Sequence, residues 1–136
     1  MSSTESPGDG ARTAPTTLVV DGANVVGSRP DGWWRDRAGA ARRLFDRLAD
    51  AGLPYDRVTL VLEGAAKAGV PAGDDGAVAV VHAPRNGDDE IVGQARSAAA
   101  DGPVTVATAD RELRERVRQV GAEILSPGRL LELIGD

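Results

Sequence analysis

From Thr16 onward, short Val-rich apolar runs alternate with longer amphipathic stretches. The runs are 16–21 (TTLVVD), 57–63 (RVTLVLE), 77–83 (AVAVVHA), 103–108 (PVTVAT) and 122–125 (AEIL). Runs this short, apolar on both faces, fit strands of a parallel sheet covered by helices on each side. Between them, Ala38, Ala41, Leu44, Phe45 and Leu48 recur at i, i+3, i+4 spacing and predict a helix over 35–51, closed by Gly52. Further helices are expected over 89–100, 110–120, with Gly121 as its stop, and 127–134. Strand–helix alternation of this kind implies an α/β fold, a three-layer α/β/α sandwich around a central, mainly parallel sheet of about five strands. The link from second to third strand, 64–76, carries four glycines and Pro71 and reads as a loop with room for a short helix at most. Residues 1–14 (MSSTESPGDGARTA) lack apolar periodicity, so nothing repays the entropy of ordering them. They read as a disordered tail, leaving 15–136 as a single domain.

Composition narrows the chemistry. With 16 basic and 21 acidic residues the net charge is −5, so attraction to phosphate has to be local. The absence of cysteine removes disulfides, thiolate zinc sites and cysteine nucleophiles, which leaves oxygen ligands or His82 for any metal. No stretch approaches the ~20 apolar residues of a membrane helix, and the N-terminus lacks the apolar centre of a signal peptide. A soluble, cytoplasmic protein with no membrane partner is the expectation.

In an open parallel sheet, ligands bind beyond the carboxyl ends of the strands. Here the first run ends in Asp21, the second in Glu63, the third is followed by Asp88, Asp89 and Glu90, and the fourth by Asp110. Carboxylates gathered at one edge repel unless a proton or a divalent cation lies between them. Mg²⁺ or Mn²⁺ is the expected remedy, since hard cations take a few carboxylate oxygens, keep waters and leave positions for phosphate. Each acid also has a local explanation. Asp88, Asp89 and Asp110 stand where helix N-caps belong, Asp21-Gly22 could be a tight turn, and Glu63 could be a solvated strand end.

The segments LVVDGANVVG (18–27), VTLVLEG (58–64), NGDDEIV (86–92) and VTVATADREL (104–113), in this order, resemble the NYN/PIN-like nuclease superfamily, in particular its bacterial YacP-like branch. The resemblance spans about residues 17–134. It implies a PIN-like fold and a four-acid cluster that binds Mg²⁺ or Mn²⁺ and supports endoribonuclease activity. Asp21 matches the first acid of the motif, Asp88 or Asp89 the acid opening the central helix, and Asp110 the acid of the (S/T)-x-D motif. Asn24 matches the polar residue of DGxN and Thr108 the hydroxyl of the last motif. Glu63 departs from the pattern, whose related branches often carry Asp at the end of the second strand. The implied mechanism is in-line attack by metal-activated water, with Asn24 and Thr108 orienting water or phosphate. Their alternative is ordinary hydrogen bonding at a turn and a strand end.

The implied partner is RNA. The loop 27–37 (GSRPDGWWRDR) puts Arg29, Trp33, Trp34, Arg35 and Arg37 near the same edge, a mixture suited to stacking bases and contacting phosphates. One Trp could equally staple the start of the next helix to the core. Arg85, Arg111 and Arg114 are further phosphate candidates, with solvated helix faces as the alternative, whereas His82 reads as structural. Rival enzyme classes lack their residues: a haloacid-dehalogenase phosphatase needs an acid where Ala23 stands, a receiver domain needs an acidic pair and a late Lys, and GANVVG has the wrong glycine spacing for a dinucleotide site. The remaining alternative is a PIN-like module that binds RNA or protein without cleaving. The same pattern is compatible with RNA or DNA, with Mg²⁺ or Mn²⁺, and with a homodimer.

Overall fold

The computed structural model describes residues 14–29, 32–74 and 76–135, so all of the expected tail except Ala14 lies outside the described residues. The elements, in chain order, are β1 (Thr17–Asp21), α1 (Gly22–Gly27), a 3-10 turn (Trp33–Arg35), α2 (Arg37–Asp50), β2 (Arg57–Leu62), a 3-10 helix (Gly64–Gly69), β3 (Gly73–Asp74), β4 (Ala79–His82), α3 (Gly87–Ala99), β5 (Val104–Ala107), α4 (Arg111–Gln119), β6 (Glu123–Leu125) and α5 (Pro127–Leu133). They build one sheet in the order β3-β4-β2-β1-β5-β6, parallel at every pairing except β3–β4.

Side chains alternate along the strands and divide the core in two. On one face Leu18 and Val20 of β1 and Val58, Leu60 and Leu62 of β2 pack with Val25 of α1, Ala41, Leu44 and Leu48 of α2 and Leu130 of α5. On the other, Val19, Val61 and Val106 pack with Ile91, Val92 and Ala95 of α3 and Leu113 and Val117 of α4. Helices therefore cover both faces, which is the expected three-layer α/β/α sandwich.

Three details differ from the sequence expectation. The sheet has six strands rather than about five, because Gly73–Asp74, inside the segment read as a loop, pairs antiparallel with β4. Two residues carry no periodicity, yet they cover the edge that β4 would otherwise leave unpaired. The rest of that segment holds the 3-10 helix 64–69, the short helix for which room was left. The second difference is α1. Asp21-Gly22 opens a helix instead of a tight turn, with the Asp21 side chain accepting from the Asn24 amide as its N-cap. Gly22 is required there because an added Cβ would lie 2.7 Å from the Val61 carbonyl oxygen. Third, the helix expected from residue 35 begins at Arg37: Trp33–Arg35 form their own turn, and Asp36 caps α2 by accepting from the Gly39 amide.

Strand order places the chemistry. The chain runs outward from β1 through β2 to β4, then crosses over by α3 to β5 on the other side of β1. The order reverses between β1 and β5, so the cleft at their carboxyl ends is the expected ligand position.

Candidate functional site

Asp21 ends β1 at that reversal and is only 7% exposed. Its two carboxylate oxygens are engaged: Oδ1 accepts from the Asn24 amide at 3.2 Å and Oδ2 from the Thr108 hydroxyl at 2.9 Å. Thr108, fully buried just beyond β5, also accepts from the Asp110 amide at 3.2 Å. One hydroxyl thus bridges the end of β1 to the start of α4. Asn24 adds a second tie, its Oδ1 accepting from the Ala109 amide at 2.8 Å. Asn24 and Thr108, expected to orient water or phosphate, here hydrogen-bond to protein groups on the segments that carry the acids. Asp110 caps α4, its Oδ1 accepting from the Leu113 amide at 2.8 Å. Its expected double reading, ligand or cap, is resolved for one oxygen in favour of the cap.

The second and third strands deliver the remaining acids. Glu63, immediately after β2, accepts from the amide of Gly87, which ties the end of β2 to the first turn of α3. That turn starts at Gly87 with Asn86 as N-cap, earlier than the sequence pattern suggested, and so contains Asp88, Asp89 and Glu90. Asp88 and Asp89 then diverge. Asp89 is exposed and pairs with Arg116 at 3.0 Å; this guanidinium, and next the Asn86 side chain, hold its carboxyl below the usual range. Asp88 is half-buried and faces acids. Burial first, then the nearby charges of Asp110 and Glu63, push its carboxyl above the ordinary value; Arg116 opposes this and Glu112 adds to it. Burial likewise raises Asp21, which the Thr108 and Asn24 hydrogen bonds counter and the charges of Asp88 and Glu63 reinforce. Asp21, Glu63, Asp88 and Asp110 therefore form the mutually repelling group, and Asp89 falls outside it.

Among the described residues, no three His, Asp or Glu side chains converge closely enough to coordinate one ion by themselves. The donor set nonetheless suits a hard cation. Mg²⁺ is usually held by one or two carboxylates together with waters and substrate phosphate, and unrelieved repulsion among oxygen ligands is what such an ion removes. Asp21 and Asp88 are the first candidates for that role, with Asp110 and Glu63 at their sides.

The expected nucleic-acid contacts divide into groups. Trp33, Trp34, Arg35 and Arg37 come together: the two indoles meet edge to face with centroids 6.1 Å apart, the Arg35 guanidinium lies 5.7 Å from the Trp34 ring and that of Arg37 5.5 Å from the Trp33 ring. Trp33 rests against Gly27 of α1, as a staple would, whereas Trp34 is 54% exposed. Arg29 lines a different cavity, shared with Arg43 and Arg47 between α1, α2 and α5. Arg85 and Arg111 are exposed near α3 and α4, and Arg114 donates to the Thr108 carbonyl at 3.1 Å. His82 is structural, its Nε2–H donating to the Val70 carbonyl at 2.8 Å. The sequence reading missed Glu112, in the first turn of α4 and near enough to Asp88 to act on its charge, and it missed Arg43 and Arg47, an i, i+4 pair on α2.

No family model matches the chain, and no curated protein matches it. Among solved structures, Rae1 (YacP) from Bacillus subtilis superposes with a TM-score of 0.71 at 23% identity, over 87% of this chain and 72% of that one. The W164L mutant of the same protein gives 0.62 at 20% identity, over 88% and 74%. The likeness is one of fold, and it is the PIN-like, YacP-like fold that the motifs implied.

Proposed function

We propose that this chain is a metal-dependent endoribonuclease that hydrolyses RNA phosphodiester bonds with water as the nucleophile, at the edge where β1, β2 and β5 end. The observation that carries this reading is the pair Asp21 and Asp88, both pushed toward protonation by burial and by neighbouring acids at the reversal of strand order. A fold tolerates unneutralised acids at such a place when a ligand compensates them. A bound Mg²⁺ or Mn²⁺ would supply water activation and charge neutralisation at the scissile phosphate. The chain's own contribution is rigidity. Thr108 holds the Asp21 carboxylate and the Asp110 amide with one hydroxyl, Asn24 locks α1 to the segment after β5, and Glu63 holds the start of α3 so that Asp88 is presented toward Asp110. Arg35, Arg37, Trp33 and Trp34 offer the RNA strand cationic and aromatic surface that the acids cannot.

A second reading has its own support. Asp21 and Asp110 both act as helix caps and, among the described residues, no three acids converge on one point, which suits a PIN-like module that binds RNA or protein without cleaving. One assay separates the two: end-labelled single-stranded RNA with Mn²⁺, Mg²⁺ or EDTA, wild type beside Asp21→Asn and Asp110→Asn prepared identically. Metal-dependent cleavage lost in both variants is the expected result. Equal residual cleavage in all three, with no rise in melting temperature on adding metal, points to the binding module.

A further inference from the structure

Beside the acids lies a cavity of about 190 Å³ that the proposed hydrolysis does not use. Val26 of α1, Leu62 at the end of β2 and Ala66 of the 3-10 helix give it apolar surface, Trp33 forms a wall, and Arg37 and Glu63 are its charged members. It is continuous with the acidic edge: Gly22 and Ala23 follow Asp21 directly, and Glu63 belongs to both. Small side chains make the space, since Ala23, Ala41, Ala66, Gly22 and Gly64 contribute little volume to the lining.

We propose that this cavity seats a single unstacked base of the RNA strand whose phosphate lies at the acids, with an amino-bearing base edge toward Glu63. This rests on the reading that single-stranded RNA is the ligand of the site. Three features select a base over other flat apolar ligands. The wall is an indole that lies beside Gly27 and is paired edge to face with Trp34, so stacking costs little further ordering. The Arg37 guanidinium over that indole and Arg35 over Trp34 put positive charge where the strand's phosphates would enter, on a chain whose net charge is −5. Glu63, the lining member shared with the acids, is acceptor-only when ionised, so it favours cytosine, whose N4 donates, over uracil, which presents the O4 acceptor at the same position.

Trp33 and Trp34 are the only tryptophans, so tryptophan fluorescence reports on this pair alone. The test is titration of the full chain with oligo(C) and oligo(U) in Ca²⁺, a hard cation that can neutralise the acids in place of the Mg²⁺ or Mn²⁺ proposed for cleavage, using Trp34→Phe to leave Trp33 as sole reporter. Saturable quenching is expected, tighter for oligo(C), and weakened roughly tenfold by filling the cavity with Ala66→Leu or, from the exposed side of α1, Ala23→Leu. Glu63→Gln, which adds a donor, should abolish the preference for oligo(C). Quenching unchanged in both filled variants, or no preference between the two oligomers in wild type, overturns the proposal. Metal-dependent cleavage of the same oligomers is scored separately: cleavage without cavity-dependent quenching removes the base seat and keeps the nuclease reading, whereas cavity-dependent quenching without cleavage keeps the seat and removes the nuclease reading.

Discussion

Replacing Thr108 by Val keeps its shape and removes one hydroxyl, in a side chain with no exposure. That hydroxyl donates to the Asp21 carboxylate and accepts from the Asp110 amide. A hydrogen bond to a charged group contributes ~1.5–3 kcal/mol, and stranding the amide adds to the loss, so the variant should be destabilised by about 2–3 kcal/mol near neutral pH. For a domain of this size that corresponds to a fall of roughly 10 °C in Tm. The loss should depend on pH. Asp21 titrates above its ordinary value of 3.8 in the folded chain, and the Thr108 hydroxyl is the largest influence opposing that rise. Thr108→Val therefore raises the folded value further. A carboxyl raised on folding contributes stability that is present at low pH and lost as pH climbs through the folded value, and the variant loses more of it. The gap between wild type and variant should be widest near neutrality and shrink to about 1 kcal/mol below the titration, where a neutral acid accepts a weaker hydrogen bond. Urea unfolding at several pH values measures this directly, with Thr108→Ser as the variant that keeps the hydroxyl. A deficit that is the same across the titration, or as large in Thr108→Ser as in Thr108→Val, refutes the bridging role.

Asp88→Asn should raise Tm near neutral pH, because it removes a charge repelled by Asp110, Glu63 and Glu112, and the gain should fade as the solution is acidified through the Asp88 titration. Mn²⁺ or Mg²⁺ should raise the wild-type melting temperature, an effect that differential scanning fluorimetry should find reduced in Asp88→Asn and intact in Asp89→Asn; equal responses in the two variants would contradict the assignment of Asp88 as the inward acid. RNA cleavage should follow the same division, lost with Asp88→Asn and kept with Asp89→Asn. Arg116→Ala breaks an exposed ion pair with Asp89 and should leave the urea unfolding midpoint almost unchanged. Gly22→Ala should cost about 1–3 kcal/mol, since its Cβ would meet backbone that cannot give way, and full stability in that variant would show that α1 can shift from β2.

Much of the fold was legible because its strands are short, Val-rich and apolar on both faces, a pattern that only a sheet covered on each side satisfies. All five apolar runs became strands, α2, α4 and α5 lie within the helices expected from periodicity, and α3 begins at Gly87, ahead of the expected start at Asp89. The elements that escaped are those too short for a period to show. The six residues of α1 and the two of β3 are held by contacts distant in sequence: Gly22 against Val61, and β3 along the edge of β4. The acids were legible because each follows an apolar run, a local fact. Trp33, Trp34, Arg35 and Arg37 were expected to group together with Arg29, which instead lines another cavity, and the cavity behind the four was not foreseen, since its members come from α1, α2, β2 and the 3-10 helix.

What the sequence determined by itself, then, is which residues end each strand, because hydrophobic period and strand length are properties of neighbours along the chain. Which of those residues face one another was decided only by the packed structure. Asp88 and Asp89 are adjacent and chemically identical, but successive residues on a helix point about 100° apart, and the start of α3 at Gly87 turns Asp88 toward Asp110 and Asp89 toward Arg116. Burial then separates them further, raising the proton affinity of one carboxyl while an arginine lowers that of the other. Charge regulation depends on distance and solvent, and neither is written in the order of residues.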